Sequence, residues 1–203
     1  MDRRCGDRKD WLKRLLPFCA ALAVHALPMI ARAESEPGAP ATVAQAEASA
    51  IERSVKAAYL YKFAGYVEWP ESSFPRPETP LTFGVMGDEA FAAELTRLVA
   101  DRSVAGRPLA VRRIREGDPL TGLHILFVGR ADDQLLGQVS RAVANRPVLI
   151  VSEFESGLAR GSTINFVVAE GRVKFAISAE SAEKHSLKLS SRLLTVAQNM
   201  GAP

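Results

Sequence analysis

The stretch from Thr163 to Ile177 reads TINFVVAEGRVKFAI, two alternating runs on either side of a Glu-Gly pair. The large apolar residues occupy positions 164, 166 and 168 of the first run and positions 173, 175 and 177 of the second. Alternation with a period of two predicts a β-hairpin with one buried face. Gly171 supplies the positive φ of the connection, which we predict to be a three-residue loop. Helices before and after the hairpin are expected to cover its apolar face.

The sequence before the hairpin alternates between strand and helix patterns. We predict helices near residues 88–100 and 132–144, with Asp88 as an N-cap, and strands near residues 81–86, 109–114, 123–128 and 147–151. This alternation predicts a single-domain α/β fold with a mixed, largely parallel sheet flanked by helices, to which the hairpin adds antiparallel strands. The second and third strands are joined by REGDPLTG, which is short for a helical crossover, so the direction of that pair stays open.

Two further helices are predicted at the ends of the domain. Apolar residues recur at three- and four-residue steps from residue 52 to about residue 68, where Pro70 ends the helix, and Lys56 and Lys62 are expected to face solvent. The aromatic residues of this helix are interpreted as core packing rather than as a ligand-stacking site. Near the C-terminus we predict a short helix, an extended segment at residues 187–189 and a last helix, capped by Ser190.

The N-terminal segment has the three parts of a secretory signal peptide: a basic start, an apolar run over residues 15–30, and Ala31-Arg32-Ala33. The competing interpretation is an uncleaved membrane anchor, but the run is shorter than the about 20 residues that a span needs. We therefore expect a signal peptide at residues 1–33, cleavage after Ala33, and a mature protein that is not embedded in the membrane. Residues 34–50 are predicted to be a flexible linker, and residues 51–200 one domain.

Removal of the leader changes the charge and the thiol content. Seven of the 26 basic and three of the 23 acidic residues lie in residues 1–33, so 19 and 20 remain, and a nucleic-acid partner is not expected. Cys5 and Cys19 also lie in the leader. The mature chain would therefore have no thiol for a disulfide, a metal ion or nucleophilic attack.

The rest of the sequence carries no recognisable catalytic or metal-binding motif, so no catalytic residue, metal site or cofactor is predicted. His124 lies within the apolar run LHILFV and is interpreted as a core histidine, whereas His185, near a helix end, is expected to be solvated or capping. A small ligand, if one binds, is expected beyond the carboxyl ends of the parallel strands. The candidate residues at that edge are Asp88, Arg130, Ser152 and Glu153.

The order of motifs resembles that of the YfiR-like family of exported bacterial proteins. The motifs are YKFAGYVEWP, LTFGVMGD, HILFVG, PVLIVSE, GSTINFVVAEGRVKF and LKLSSRLLTVA, and the resemblance covers about residues 53–199. It implies a periplasmic α/β protein, not an enzyme, which restrains a membrane-anchored diguanylate cyclase by contacting its periplasmic part and so lowers cyclic-di-GMP output. An outer-membrane lipoprotein that relieves the restraint is a second implied partner. Homodimer formation stays open.

The resemblance also implies a partner-binding surface. We expect one exposed patch, where the first helix ends and the last begins, made of Glu68, Trp69, Lys184, Lys188 and Ser190. The alternative, in which Trp69 is a core residue and the lysines are ordinary surface residues, stays open. A helix start there would favour an acidic partner, because its free N–H groups attract negative charge. The chain departs from the family in two ways. It lacks the paired cysteines of some relatives, so redox control is not carried over, and it has Ala176 and Ser178 where relatives commonly have a carboxylate and Asn.

Two other classes of function stay open. One is a periplasmic module that binds a small solute and presents it to a membrane receptor. The other is a periplasmic hydrolase, which is disfavoured because the sequence shows no nucleophile paired with a base.

Overall fold

The structure is a computed structural model that describes residues 39–129 and 133–199. Its helices are α1 (Ala39–Tyr66), α2 (Glu89–Val99), α3 (Asp133–Ala142), α4 (Ala179–Lys184) and α5 (Ser191–Asn199). Its strands are β1 (Val67–Glu68), β2 (Leu81–Met86), β3 (Ser103–Val104), β4 (Arg107–Ile114), β5 (Ile125–Val128), β6 (Leu149–Ser152), β7 (Ile164–Ala169), β8 (Arg172–Ile177) and β9 (Lys188–Leu189). The predicted signal peptide lies outside the described residues.

In the described part of the chain, seven strands form one sheet in the order β3-β4-β2-β5-β6-β7-β8. The five inner strands, from β4 to β7, run parallel, whereas β3 and β8 pair antiparallel at the two edges. The predicted mixed, largely parallel sheet is confirmed. One detail was wrong: β7 continues the parallel run, so the hairpin adds only one antiparallel strand.

The connection between β4 and β5 resolves the direction that the sequence left open. Both strands flank β2 and run parallel to it, so the chain crosses β2 between them without a helix. Gly84, in the middle of β2, leaves room for this crossover. A Cβ atom at Gly84 would lie 2.9 Å from Leu123 Cδ1 and 3.0 Å from Leu126 Cδ1, which is too close.

The hairpin has the predicted register, with Ile164 opposite Ile177, Phe166 opposite Phe175 and Val168 opposite Val173. The burial of its side chains decreases towards the tip. Phe166 and Phe175 are buried, whereas Val168 is 43% exposed. The predicted three-residue loop was wrong. Ala169 pairs with Arg172, and the two residues between them, Glu170 and Gly171, have φ angles of 55° and 69°. This is a two-residue turn of type I′ geometry, whose twist suits the flanking strands better.

The sheet separates two apolar clusters. On one face α1, α2 and α5 cover residues that include Phe83 and Phe175, with Phe63 of α1 at the centre. On the other face α3 packs its Val139 against residues that include Leu126. Burial on both faces explains why β5 and β6 are entirely apolar or small.

The first helix differs from its prediction at both ends. It begins at Ala39, so the predicted linker is helical from that residue onwards. The side chains of residues 42–50 are exposed, and burial periodicity could not reveal this part of the helix; its many alanines favour a helix without any packing. The helix ends at Tyr66 rather than near residue 68, because Val67 and Glu68 form β1.

The C-terminal elements follow the prediction closely. Ser190 caps α5, since its hydroxyl accepts a hydrogen bond from the Leu193 N–H at 3.3 Å. Asp88 caps α2 in the same way, through the Phe91 N–H at 2.8 Å. Among the described residues, none of the helices combines the length and the apolar character that a membrane span requires.

Candidate functional site

A two-residue ladder joins the end of α1 to the start of α5. In this ladder β1 pairs antiparallel with β9, so that Glu68 lies opposite Lys188. Both of these residues are exposed, whereas Val67 beside them is buried and anchors the ladder to the core. The Ser190 N–H donates to the Tyr66 carbonyl at 3.0 Å, which extends the pairing by one residue. Three of the five predicted patch residues are therefore neighbours.

Trp69 follows β1 directly and is half-buried. Its indole Nε1–H donates to the His124 carbonyl at 3.2 Å, and its ring meets the His124 ring edge-on with centroids 6.3 Å apart. One side of Trp69 is thus fixed to the core, and the rest of the ring faces a groove. It combines the core role and the surface role between which the sequence did not decide. We call Glu68, Trp69, Lys188 and Ser190 the β1–β9 patch.

Lys184 lies at the C-terminal end of α4, four residues before Lys188 of β9. Its ammonium group forms an ion pair with Glu180 at 2.7 Å, one turn earlier in the helix. The hydrogen bond from Lys184, together with its positive charge, lowers the pKa of Glu180 below the ordinary range. Lys184 is exposed as predicted, but its partner in the structure is its own helix and not the β1–β9 patch.

A groove of about 520 Å³ opens beside the β1–β9 patch. Trp69 and Phe74 form its aromatic wall, and Arg107 of β4 lies across the Phe74 ring with its guanidinium carbon 4.1 Å from the ring centroid. The same guanidinium donates to the carbonyls of Arg76 at 3.1 Å and Pro77 at 2.6 Å. No local sequence pattern indicates this groove, because its walls come from separate segments.

His124 is the buried centre behind the groove, 3% exposed. Its Nδ1 atom lies 3.1 Å from the Thr82 N–H nitrogen, and its Nε2 atom lies 3.1 Å from the Ser73 carbonyl oxygen. Its ring stacks on Phe74, with centroids 4.4 Å apart and planes 9° apart. The predicted core histidine is confirmed.

His185 is also buried, 6% exposed, and its Nδ1 atom lies 2.9 Å from the Arg146 carbonyl oxygen. The solvated alternative was therefore wrong, while the capping alternative is right, because His185 closes the C-terminal end of α4. The sequence could not show the burial, since Arg146 is distant along the chain.

The carboxyl edge of the parallel strands holds three of the four predicted ligand residues, and Arg130 lies outside the described residues. Asp88 caps α2, and Ser152 donates to the Asn165 side-chain oxygen at 2.7 Å. Glu153 forms an ion pair with Lys56 of α1. A pocket of about 230 Å³ lies among these elements, but each of the three polar side chains already has a partner within the protein.

Lys56 was predicted to face solvent, and this was wrong. It is 4% exposed, and its ammonium group contacts the carboxylates of Glu52 and Glu153. The loop after β6 brings Glu153 against α1, and a buried ammonium requires such pairing. Glu52 and Lys56 are four residues apart, a spacing that is equally common on solvated helix faces, so the sequence could not reveal the burial.

The described residues contain no group of three or more His, Cys, Asp or Glu that could hold a metal ion. Residues 53–198 match the family model described as YfiR/HmsC-like. The match covers 146 of the 203 residues and includes the whole β1–β9 patch and the groove.

Proposed function

The chain belongs to the YfiR/HmsC-like family, and from this premise we propose that it is a periplasmic regulatory protein that binds the periplasmic part of a membrane-anchored diguanylate cyclase. Binding restrains the cyclase and lowers cyclic-di-GMP output. The protein acts by occupying a surface of its partner and performs no chemistry of its own. An outer-membrane lipoprotein relieves the restraint.

One observation carries the choice of surface. Glu68 and Lys188 lie opposite each other on a ladder whose other pair is largely buried, so two exposed charges lie beside residues that anchor the ladder to the core. Beside them the half-buried Trp69 offers a large ring, a residue type that is enriched among interface residues with high binding energy. The free N–H groups at the start of α5 add positive potential. Lys184 is the outlying member of this proposed surface.

Recognition by charge can be tested with a charge reversal. We expect Lys188→Glu combined with Lys184→Glu to reduce the amount of cyclase captured from native membranes and to raise cellular cyclic-di-GMP. The melting temperature should fall only slightly, because both lysines are exposed and the like-charge contacts with Glu68 and Glu180 that the reversal creates cost little. Arg141→Glu is the matched control, an exposed basic residue on α3, which covers the opposite face of the sheet.

A second variant separates recognition from ladder stability. Lys188→Glu places two carboxylates opposite each other, which weakens the ladder itself. Exchanging the pair, with Glu68→Lys and Lys188→Glu together, keeps the attraction but reverses the charges that the partner meets. We expect the exchange variant to stay defective. If it binds and represses like the parent, or if the Lys184/Lys188 double reversal does so, the β1–β9 patch is not the contact surface.

Export is part of the proposal and has its own test. We propose that the leader is cleaved after Ala33, so that the mature protein begins at Glu34. The intact mass of protein recovered from the periplasm should correspond to residues 34–203. A mass that includes residues 1–33, or recovery only with membranes, contradicts the cleavage.

A further inference from the structure

The segment from Trp69 to Thr79, which we call the 69–79 segment, connects β1 to β2 and contains little regular structure apart from a 3₁₀ turn at Glu71–Ser73. Three of its residues are held by His124: Ser73 through its carbonyl, Phe74 through ring stacking, and Trp69 through the His124 carbonyl. The side chain and backbone of one buried residue therefore hold three residues of the segment against the sheet.

The hydrogen bonds of the His124 ring fit only one protonation state. The Thr82 N–H can only donate, so Nδ1 must be an unprotonated acceptor. The Ser73 carbonyl can only accept, so Nε2 must carry the proton and donate it. A second proton on Nδ1 would point at the Thr82 N–H across 3.1 Å, and two donors cannot share that space.

The surroundings oppose the charged form of the ring. Burial lowers the pKa of His124 below its ordinary value of 6.5, and the positive charge of Arg107 lowers it further, although the hydrogen bond to Ser73 acts in the opposite direction. Thr82 of β2 and Leu149 of β6, which also contact His124, are uncharged. The groove in front of His124 carries the charged residues Glu68, Glu71 and Arg76, and Arg76 forms an ion pair with Glu78.

We propose that His124 is an acid-sensitive latch, whose protonation breaks its hydrogen bond to the Thr82 N–H and releases the 69–79 segment from the sheet. In the neutral form the ring seats Ser73 and Phe74, and Arg107 covers the outer face of Phe74. In the charged form the ring leaves its place against β2, so its contacts with Ser73, Phe74 and the edge of Trp69 are lost together. The hydrogen bond from Trp69 to the His124 carbonyl involves the backbone and does not by itself hold the rest of the segment.

Release would reach the β1–β9 patch, because Trp69 belongs both to that patch and to the 69–79 segment. A consequence for partner binding rests on the proposed function. The latch itself does not, since it follows from contacts within the chain. Its test therefore uses the protein alone, so that failure of the latch and failure of the proposed function are separate results.

Tryptophan fluorescence reports on the latch directly. Of the two tryptophans in the sequence, Trp11 lies in the proposed leader, so the mature protein has Trp69 as its only tryptophan, and Trp11→Phe gives the same result in uncleaved protein. We expect the Trp69 emission to shift to longer wavelength as the pH falls from about 7.5 to about 4.5, a range that brackets ordinary histidine titration. The far-UV circular dichroism should stay constant over the same transition, because only a segment without strands is released.

Two asparagine variants identify the histidine responsible. His124→Asn retains an oxygen that can accept from the Thr82 N–H and cannot titrate, so the fluorescence transition should disappear. His185→Asn is the matched control, another buried histidine with a ring nitrogen bonded to a carbonyl, and it should retain the transition. Persistence of the transition in His124→Asn, or its loss in His185→Asn alone, overturns the proposal.

Nitrogen NMR of the unsubstituted rings gives a result that does not depend on how well the His124→Asn variant folds. At neutral pH the spectrum should show His124 protonated only at Nε2, and the ring should take up its second proton over the same pH range as the fluorescence change. The latch is refuted by a flat fluorescence signal, by a transition that coincides with loss of circular dichroism, or by a His124 ring that stays neutral throughout.

Discussion

Truncation of Phe175 to alanine tests whether the hairpin is the centre of the core. Phe175 is 1% exposed, and its ring meets two rings of α1 edge-on: Phe63 at a centroid distance of 5.0 Å and Tyr59 at 5.4 Å. Phe166, its partner across the hairpin, contacts the same two rings. Removing the Phe175 ring thus leaves a cavity between α1 and the hairpin, and the backbones of these elements prevent it from closing.

The expected loss of unfolding free energy is about 4 kcal/mol. Replacing a buried Phe by Ala usually costs about 3–5 kcal/mol, and the edge-on aromatic contacts, each contributing about 0.5–1.5 kcal/mol, favour the upper half of that range. With a urea dependence of about 2 kcal/mol per molar for a domain of this size, the unfolding midpoint should fall by about 2 M urea. Such a loss is a large share of the about 5–15 kcal/mol that stabilises a typical domain.

Urea unfolding followed by circular dichroism measures this shift, and two substitutions in the same hairpin serve as controls. Val168→Ala lies on the same face near the exposed tip and should cost about 1 kcal/mol or less. Lys174→Ala lies on the other face and should change stability by no more than about 0.5 kcal/mol. If Val168→Ala or Lys174→Ala costs as much as Phe175→Ala, the hairpin register or its place in the core is wrong.

Three further predictions concern the interior. Lys56→Met should cost about 3–5 kcal/mol in thermal or urea unfolding, because it removes the ammonium group beside the buried carboxylate of Glu153, and adding Glu153→Leu should recover most of the loss. Gly84→Ala should cost about 1–3 kcal/mol, because its Cβ would overlap the crossover; unchanged stability would contradict the tight packing. The lowered pKa of His124 means that the unfolded chain binds the proton more readily, so stability should fall as the pH drops below 6.5, and this dependence should be weaker in His124→Asn.

The sequence was sufficient for elements whose local pattern and tertiary role agree. The hairpin alternates because one face packs on α1, and both cap residues, Asp88 and Ser190, act through side-chain oxygens within three residues of their partners. The prediction failed where partners are far apart in the sequence. Lys56 meets Glu153 across 97 positions, and no local pattern records that contact.

The site was predictable only in part, for a related reason. The resemblance pointed to both sides of the β1–β9 ladder, and the structure places Glu68 and Lys188 opposite each other. A two-residue strand is too short to show a periodic pattern, so the sequence could not predict the pairing of β1 with β9. The groove is formed by three separate segments of the chain, which no local pattern brings together. The sequence around His124 predicted that this residue would be buried, but not which groups its two ring nitrogens would bind.

The distribution of paired and exposed polar groups bears on which kind of function the fold supports. At the carboxyl edge of the sheet, where ligands bind in many α/β proteins, the polar side chains of Asp88, Ser152 and Glu153 are engaged with a helix start, a buried amide and a buried lysine. A solute that bound there would have to displace contacts that hold the fold together. The polar side chains of Glu68 and Lys188, in contrast, are exposed, and the stability of the ladder that carries them does not depend on their burial. The interior polar groups thus stabilise the fold, whereas charged side chains are exposed on the surface. This arrangement favours a protein partner over a small ligand.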